Sequence, residues 1–160
     1  MTHKRLRDLL LEMLEGKSAH LDLSAALEGM PVGRVGERPE GVEHSVWELV
    51  EHLRRALHDL VEFSRDPDYE SPPWPEGYWP DEAAPGDEAE WERAVAEYGE
   101  LLEEMKAMVR DPDQDLLEPF PWGDGQNLAR EAMLAVDHAG YHVGQIVQLR
   151  RLLGEWPDTD

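Results

Sequence analysis

Apolar residues recur every three to four positions in several long segments, which is the spacing of amphipathic helices. Residues 42–64 have this stripe at Val46, Leu49, Val50, Leu53, Leu57, Leu60 and Val61. Residues 87–110 repeat it at Trp91, Val95, Tyr98, Leu102, Met105 and Val109. Two further helices are predicted, one from Thr2 to Leu27, which Gly16 should bend or interrupt, and one from Asn127 to Gly154.

The connections between these helices are long and irregular. Residues 31–41 contain two prolines and three glycines, residues 66–86 are rich in proline, and residues 111–125 lead into the last helix. The chain has no internal repeat and no strand-like alternation. We therefore predict an all-α fold, with residues 1–160 forming a single domain, an antiparallel four-helix bundle. Asp87 is expected to cap the third helix at its start, and Gly154 to cap the fourth at its end.

Aromatic residues are concentrated in the long connections. Trp74, Tyr78 and Trp79 lie in the 66–86 segment, and Trp122 lies in the next connection. They could form an apolar rim that holds a substrate, or they could anchor the loops to the ends of the bundle. For Trp74 and Trp122 the second interpretation is slightly favoured.

The charge balance narrows the range of partners. The chain has 15 basic and 36 acidic residues, a net charge of −21. Such a surface repels phosphate, so nucleic acid is not an expected partner. No apolar run is long enough to span a membrane, and the first residues lack the apolar core of a secretory signal, so we expect a cytoplasmic protein with no membrane partner. Without cysteine, any thiol chemistry must come with a cofactor or substrate.

Two histidines stand four residues apart in the last predicted helix. At about 100° per residue this spacing places His138 and His142 on one face, where two imidazoles can chelate one metal ion. The alternative is a pair of core histidines that bond to carbonyl or carboxylate groups. Both rings are expected to point inward, because they share one side of the helix with an apolar series, Leu134, Tyr141, Leu149 and Leu152.

A third histidine lies beside the apolar stripe of the second predicted helix. His52 is about 60° from Leu49 on the helical wheel, so it can face into a bundle. His44 and His58 point in other directions and are expected to be solvated or to cap the helix. Three neutral imidazoles would hold a divalent ion and leave a coordination position open, as in a reactive site.

The chain resembles the DinB-like (DinB/YfiT-type) superfamily of four-helix bundles. The resemblance rests on residues 44–53, HSVWELVEHL, and residues 137–151, DHAGYHVGQIVQLRR, and it extends over nearly the whole chain. It implies that His52, His138 and His142 hold a divalent metal ion, usually zinc or nickel. Some members transfer low-molecular-weight thiols or use such a thiol as a cofactor, and members are often homodimers.

Three neighbouring residues are candidates to support the metal ligands. Gln145 lies one turn beyond His142 and is placed to bond an imidazole or a metal-bound water. Glu48 holds the equivalent position one turn before His52, although a solvated glutamate is the simpler interpretation. Tyr141 is expected to pack in the core, with its hydroxyl at the edge of the site.

These observations favour a metal-dependent enzyme that acts on a small-molecule substrate or a thiol, as a thiol-dependent transferase or a hydrolase. A noncatalytic stress-response protein that binds a metal or a small molecule is the alternative from another class. A purely structural bundle with core histidines is the least favoured interpretation.

Two glycines inside the last helix point to an assembly. Gly140 and Gly144 each cost about 1 kcal/mol relative to alanine in a helix, so a compensating role is expected. They lie on the side away from the two histidines, where small residues let another helix approach. We expect a homodimer with this helix near its contact. The alternative is close packing against the first helix of the same chain.

Overall fold

The computed structural model describes residues 3–157, which form five α-helices and, within that range, no strand. The helices are α1 (Lys4–Leu14), α2 (Leu23–Leu27), α3 (Val46–Arg65), α4 (Glu88–Arg110) and α5 (Leu128–Leu153). Helix α3 packs against α4 and α5, α1 packs against the same two helices, and the short α2 packs on α5. The predicted all-α bundle is confirmed.

The first predicted helix is interrupted at Gly16, as expected, but the interruption is longer than a bend and the helical extent is smaller than predicted. Thr2 lies outside the described residues, α1 ends at Leu14, and Gly16 adopts a positive φ of 78° that a glycine accepts without strain. Helix α2 restarts only after Asp22, whose Oδ1 accepts a hydrogen bond from the Ala25 amide at 2.7 Å. The chain therefore enters the bundle with a helix of 11 residues, about half the length of α4.

The ends of the longer helices follow the capping rules. Ser45 and Glu48 form a capping box at the start of α3, in which each side chain bonds the backbone amide of the other residue. Asp87 caps α4 through the Glu90 amide at 2.7 Å, as predicted. Gly154, with a φ of 73°, ends α5, also as predicted.

The core confirms the stripe predicted for α3 but corrects the one predicted for α5. On α5, only Leu149 of the four residues expected to point inward is buried, whereas Leu134, Tyr141 and Leu152 are exposed. The buried face is formed instead by small and medium side chains, namely Ala129, Ala132, Ala135, Val136, Val143 and Ile146. Small residues allow the neighbouring helices to approach α5 closely, so this face is covered although it is less hydrophobic than the predicted one.

The two glycines of α5 have different surroundings. A Cβ atom at Gly140 would lie 2.7 Å from His20 Nε2, in the segment that joins α1 to α2, so packing within the chain accounts for this glycine. A Cβ atom at Gly144 would meet no described atom within 4 Å. The predicted homodimer contact therefore rests on Gly144.

No helix among residues 3–157 combines the length and the apolar character needed to cross a bilayer.

Candidate metal centre

Three imidazoles from two helices meet between α3 and α5. His52 comes from α3, and His138 and His142 come from successive turns of α5. One nitrogen of each ring lies within 4.8 Å of the other two, and the Nε2 atoms of His52 and His138 are 3.0 Å apart. The side chains of His52 and His142 are only 2% and 6% exposed, and that of His138 is half-buried. This convergence is the geometry that a mononuclear metal site requires.

The surroundings keep the cluster uncharged. Burial, together with a smaller contribution from the neighbouring imidazoles, lowers the pKa of His52 and that of His138 from 6.5 to about 4. Burial also lowers the pKa of His142. All three rings are therefore neutral near pH 7, the protonation state in which an imidazole nitrogen can bind a metal ion.

His52 is held in one orientation by the 66–86 connection. Its Nδ1 lies 3.0 Å from the carbonyl oxygen of Tyr78, which can only accept, so the proton is on Nδ1 and Nε2 presents its lone pair to the cluster. The indole of Trp79 stacks on the same ring, with 3.9 Å between centroids and an angle of 4°. The Tyr78 hydroxyl in turn donates to Asp59 at 2.8 Å, which ties the connection to α3.

His142 has its own partner on α5. Its Nδ1 donates to the side-chain oxygen of Gln145 over 2.6 Å, so Nε2 is left free to face the other two imidazoles. Gln145 thus occupies the supporting position that its spacing from His142 suggested.

Glu48 and Tyr141 do not have the surroundings expected for them. Glu48 is buried rather than solvated, and its carboxylate accepts hydrogen bonds from the Ser45 amide at 2.7 Å and from Arg38 Nε at 2.8 Å, so it supports the helix start and not His52. Tyr141 is 68% exposed, so it is not core packing; its ring meets that of His142 edge-on at 4.8 Å.

The remaining aromatic residues divide between the site and the bundle end. Trp74 is 70% exposed and lies 6.4 Å from the His52 ring, so its interpretation as a loop anchor is wrong. Trp122 is an anchor, as favoured, because its Nε1 donates to the carbonyl of Phe63 at 2.8 Å. Tyr78 and Trp79 lie at the site itself.

His44 is a member of the site that its helical direction did not indicate. It is half-buried and stacks on the face of Trp79 opposite His52, with the ring centroids 4.0 Å apart. Its buried Nδ1 has no hydrogen-bond partner among the described residues. Only the path of the 66–86 connection brings these rings together, so no spacing within α3 could have shown it. His58 is exposed, as expected.

The model of the DinB superfamily matches residues 17–146, which is most of the chain and includes all three clustered histidines. The chain therefore belongs to the DinB superfamily. No curated protein and no solved structure gives a significant match. Helix α1 precedes the matched range.

Proposed function

We propose that His52, His138 and His142 bind one divalent metal ion, zinc or nickel, and that this centre serves a reaction on a small molecule. The observation that carries the proposal is the convergence of three neutral imidazole nitrogens within 4.8 Å of one another. Membership of the DinB superfamily agrees with it. Three protein ligands leave room for a further ligand, which distinguishes a reactive metal site from a closed structural one.

The reaction we propose is thiol transfer or hydrolysis. An ion at this centre would lower the pKa of a thiol or water molecule at its open position. Because the chain has no cysteine, the thiol would be a separate low-molecular-weight cofactor or substrate. Trp74 and Tyr141 present exposed aromatic surfaces beside the histidines, suited to hold the apolar part of a substrate.

A noncatalytic role, in which a stress-response protein holds a metal or a small molecule, has one observation in its favour. The side chains that stack on, meet edge-on or hydrogen-bond the three imidazoles include the indole of Trp79, the phenol of Tyr141 and the amide of Gln145. None of these is a strong base at neutral pH. These three contacts therefore supply no dedicated proton acceptor, as a binding protein would allow, and the His44 imidazole is separated from His52 by Trp79.

Metal analysis of the purified protein tests the first part of the proposal. We expect about one divalent ion per chain in the wild type and in the control variant His58→Ala, which removes an exposed imidazole. The variants His52→Ala and His138→Ala/His142→Ala should lose most of the metal and keep their helical circular dichroism. Full metal content in the double variant would overturn the assignment.

Cobalt-substituted protein separates the two roles. If the open position is a reaction site, added low-molecular-weight thiols should change the visible absorption of the cobalt ion. A spectrum that no thiol or small chelating anion alters would contradict the enzymatic proposal and favour the binding protein.

A further inference from the structure

A cleft of about 250 Å³ lies between α1, α4 and α5. It exists because α1 stops at Leu14, whereas α4 and α5 continue alongside the segment that leads to α2. Small residues of the two long helices line it, among them Gly99, Ala135 and Ala139. None of the three clustered histidines lines it, so it is separate from the candidate metal centre.

The cleft contains a hydroxyl group with no hydrogen-bond partner among the described residues. Tyr98 lines the cleft and is 9% exposed, and its hydroxyl forms no hydrogen bond to any described residue. Burial and the nearby carboxylate of Asp22 raise the pKa of Tyr98 to about 12, so the hydroxyl is neutral near pH 7. Because no side chain or carbonyl among the described residues occupies it, this hydroxyl is available to a ligand in the cleft.

The charges around the cleft indicate the kind of ligand. Glu15 is neutralised by Lys17 at 3.0 Å, and the ammonium group of Lys106 is neutralised by Glu103 at 2.7 Å. Asp22 has no ion pair among the described residues; its Oδ1 caps α2, and its carboxylate remains uncompensated beside Tyr98. A protein with a net charge of −21 also attracts cations and repels anions.

The geometry points to a binding site for a small protonated organic amine with an apolar body. The ammonium group donates hydrogen bonds to the Asp22 carboxylate and to the Tyr98 hydroxyl oxygen, and the hydrocarbon lies against Leu14, Leu102 and Ala139. This assignment uses the carboxylate of Asp22, the hydroxyl of Tyr98 and the apolar walls of the cleft. It is independent of the metal site.

Benzylamine, which is protonated at pH 7, is a suitable probe, with benzyl alcohol and benzoate as neutral and anionic molecules of similar shape. Calorimetric titration of the wild type in physiological salt should show benzylamine binding at least about tenfold more tightly than benzyl alcohol, and no benzoate binding. Equal binding of benzylamine and benzyl alcohol, or no benzylamine binding at millimolar concentration, would overturn the proposal.

Matched variants locate the site. Asp22→Asn keeps the helix cap, because asparagine caps as well as aspartate, but removes the charge and should weaken benzylamine binding roughly tenfold. Asp87→Asn, which changes the aspartate that caps α4, is its control and should not change benzylamine binding. Gly99→Leu fills the cleft from a position where a Cβ atom meets no described atom within 4 Å, and it should abolish binding, whereas Ala89→Leu on the exposed side of α4 should not.

Two further variants distinguish this site from others. Tyr98→Phe should weaken benzylamine binding severalfold without changing the shape of the cleft. The metal-site variant His138→Ala/His142→Ala should bind benzylamine as the wild type does. Loss of binding in the metal-site variant, together with normal binding in Gly99→Leu, would place the amine elsewhere and contradict the proposal.

Discussion

Acid is expected to destabilise the metal-free protein through its buried histidines. Burial lowers the pKa of His52 and that of His138 from 6.5 to about 4. Above pH 6.5 these rings are neutral in both the folded and the unfolded chain and do not change stability. As the pH falls from 6.5 towards 4, the unfolded chain takes up protons that the folded cluster does not, so the free energy of unfolding decreases.

The size of the effect follows from the two pKa values. At pH 5 a histidine with a folded pKa near 4 and an unfolded pKa near 6.5 costs about 2 kcal/mol, so the pair costs about 4 kcal/mol. This is a large part of the roughly 5–15 kcal/mol by which most domains are stable. A bound metal ion should oppose the loss, because it binds only the neutral rings.

Urea unfolding of chelator-treated protein at pH 7.5 and pH 5 measures this cost. Acid also neutralises carboxylates on a chain with a net charge of −21, so the wild type must be compared with the variant His52→Gln/His138→Gln. The wild type should lose about 4 kcal/mol more than this variant between the two pH values. The variant His58→Gln controls for loss of an exposed imidazole. Equal losses in the wild type and the double variant would refute the reasoning.

Three further predictions concern single contacts. Gln145→Leu removes the acceptor of the His142 Nδ1 proton and should weaken metal binding about 10- to 100-fold in a chelator competition, whereas the exposed Gln148→Leu should not; equal affinities would contradict the role of Gln145. Ser45→Ala breaks the capping box of α3 and should lower the free energy of unfolding, measured in urea, by about 1 kcal/mol. An unchanged urea midpoint would contradict this prediction. Gly144→Leu should turn the predicted homodimer into a monomer in light scattering, and a wild type already monomeric at micromolar concentration would remove the interface.

Much of the architecture is a local property that the sequence determines by itself. The repeat of apolar residues every three to four positions predicts α3 and α4, because 3.6 residues per turn place such residues on one face. Asp87 fixes the start of α4, and Gly154 fixes the end of α5, through bonds to residues three or four positions away. The spacing of His138 and His142 likewise sets their separation within a single helix.

Which side of a helix is buried was decided by the neighbouring helices. The larger apolar residues of α5, such as Leu134 and Tyr141, remain exposed, because the alanine-rich side lets adjacent helices pack more closely. The break after Leu14 has both a local cause, which the sequence indicates at Gly16, and a tertiary one. Gly16 permits a turn, and the contacts of the following segment with α5, including that of His20 with Gly140, accompany its departure from the helix axis.

The orientation of the candidate site also depends on residues far apart in the chain. The Nδ1 proton of His52 is directed by the carbonyl of Tyr78, 26 residues away, and His52 and His44 stack on opposite faces of Trp79. A backbone carbonyl carries no side-chain signal, so no residue pattern marks it as a partner. The sequence alone could therefore identify the three imidazoles, whereas only the tertiary structure shows which nitrogen each presents, because that is set by contacts formed after the chain has folded.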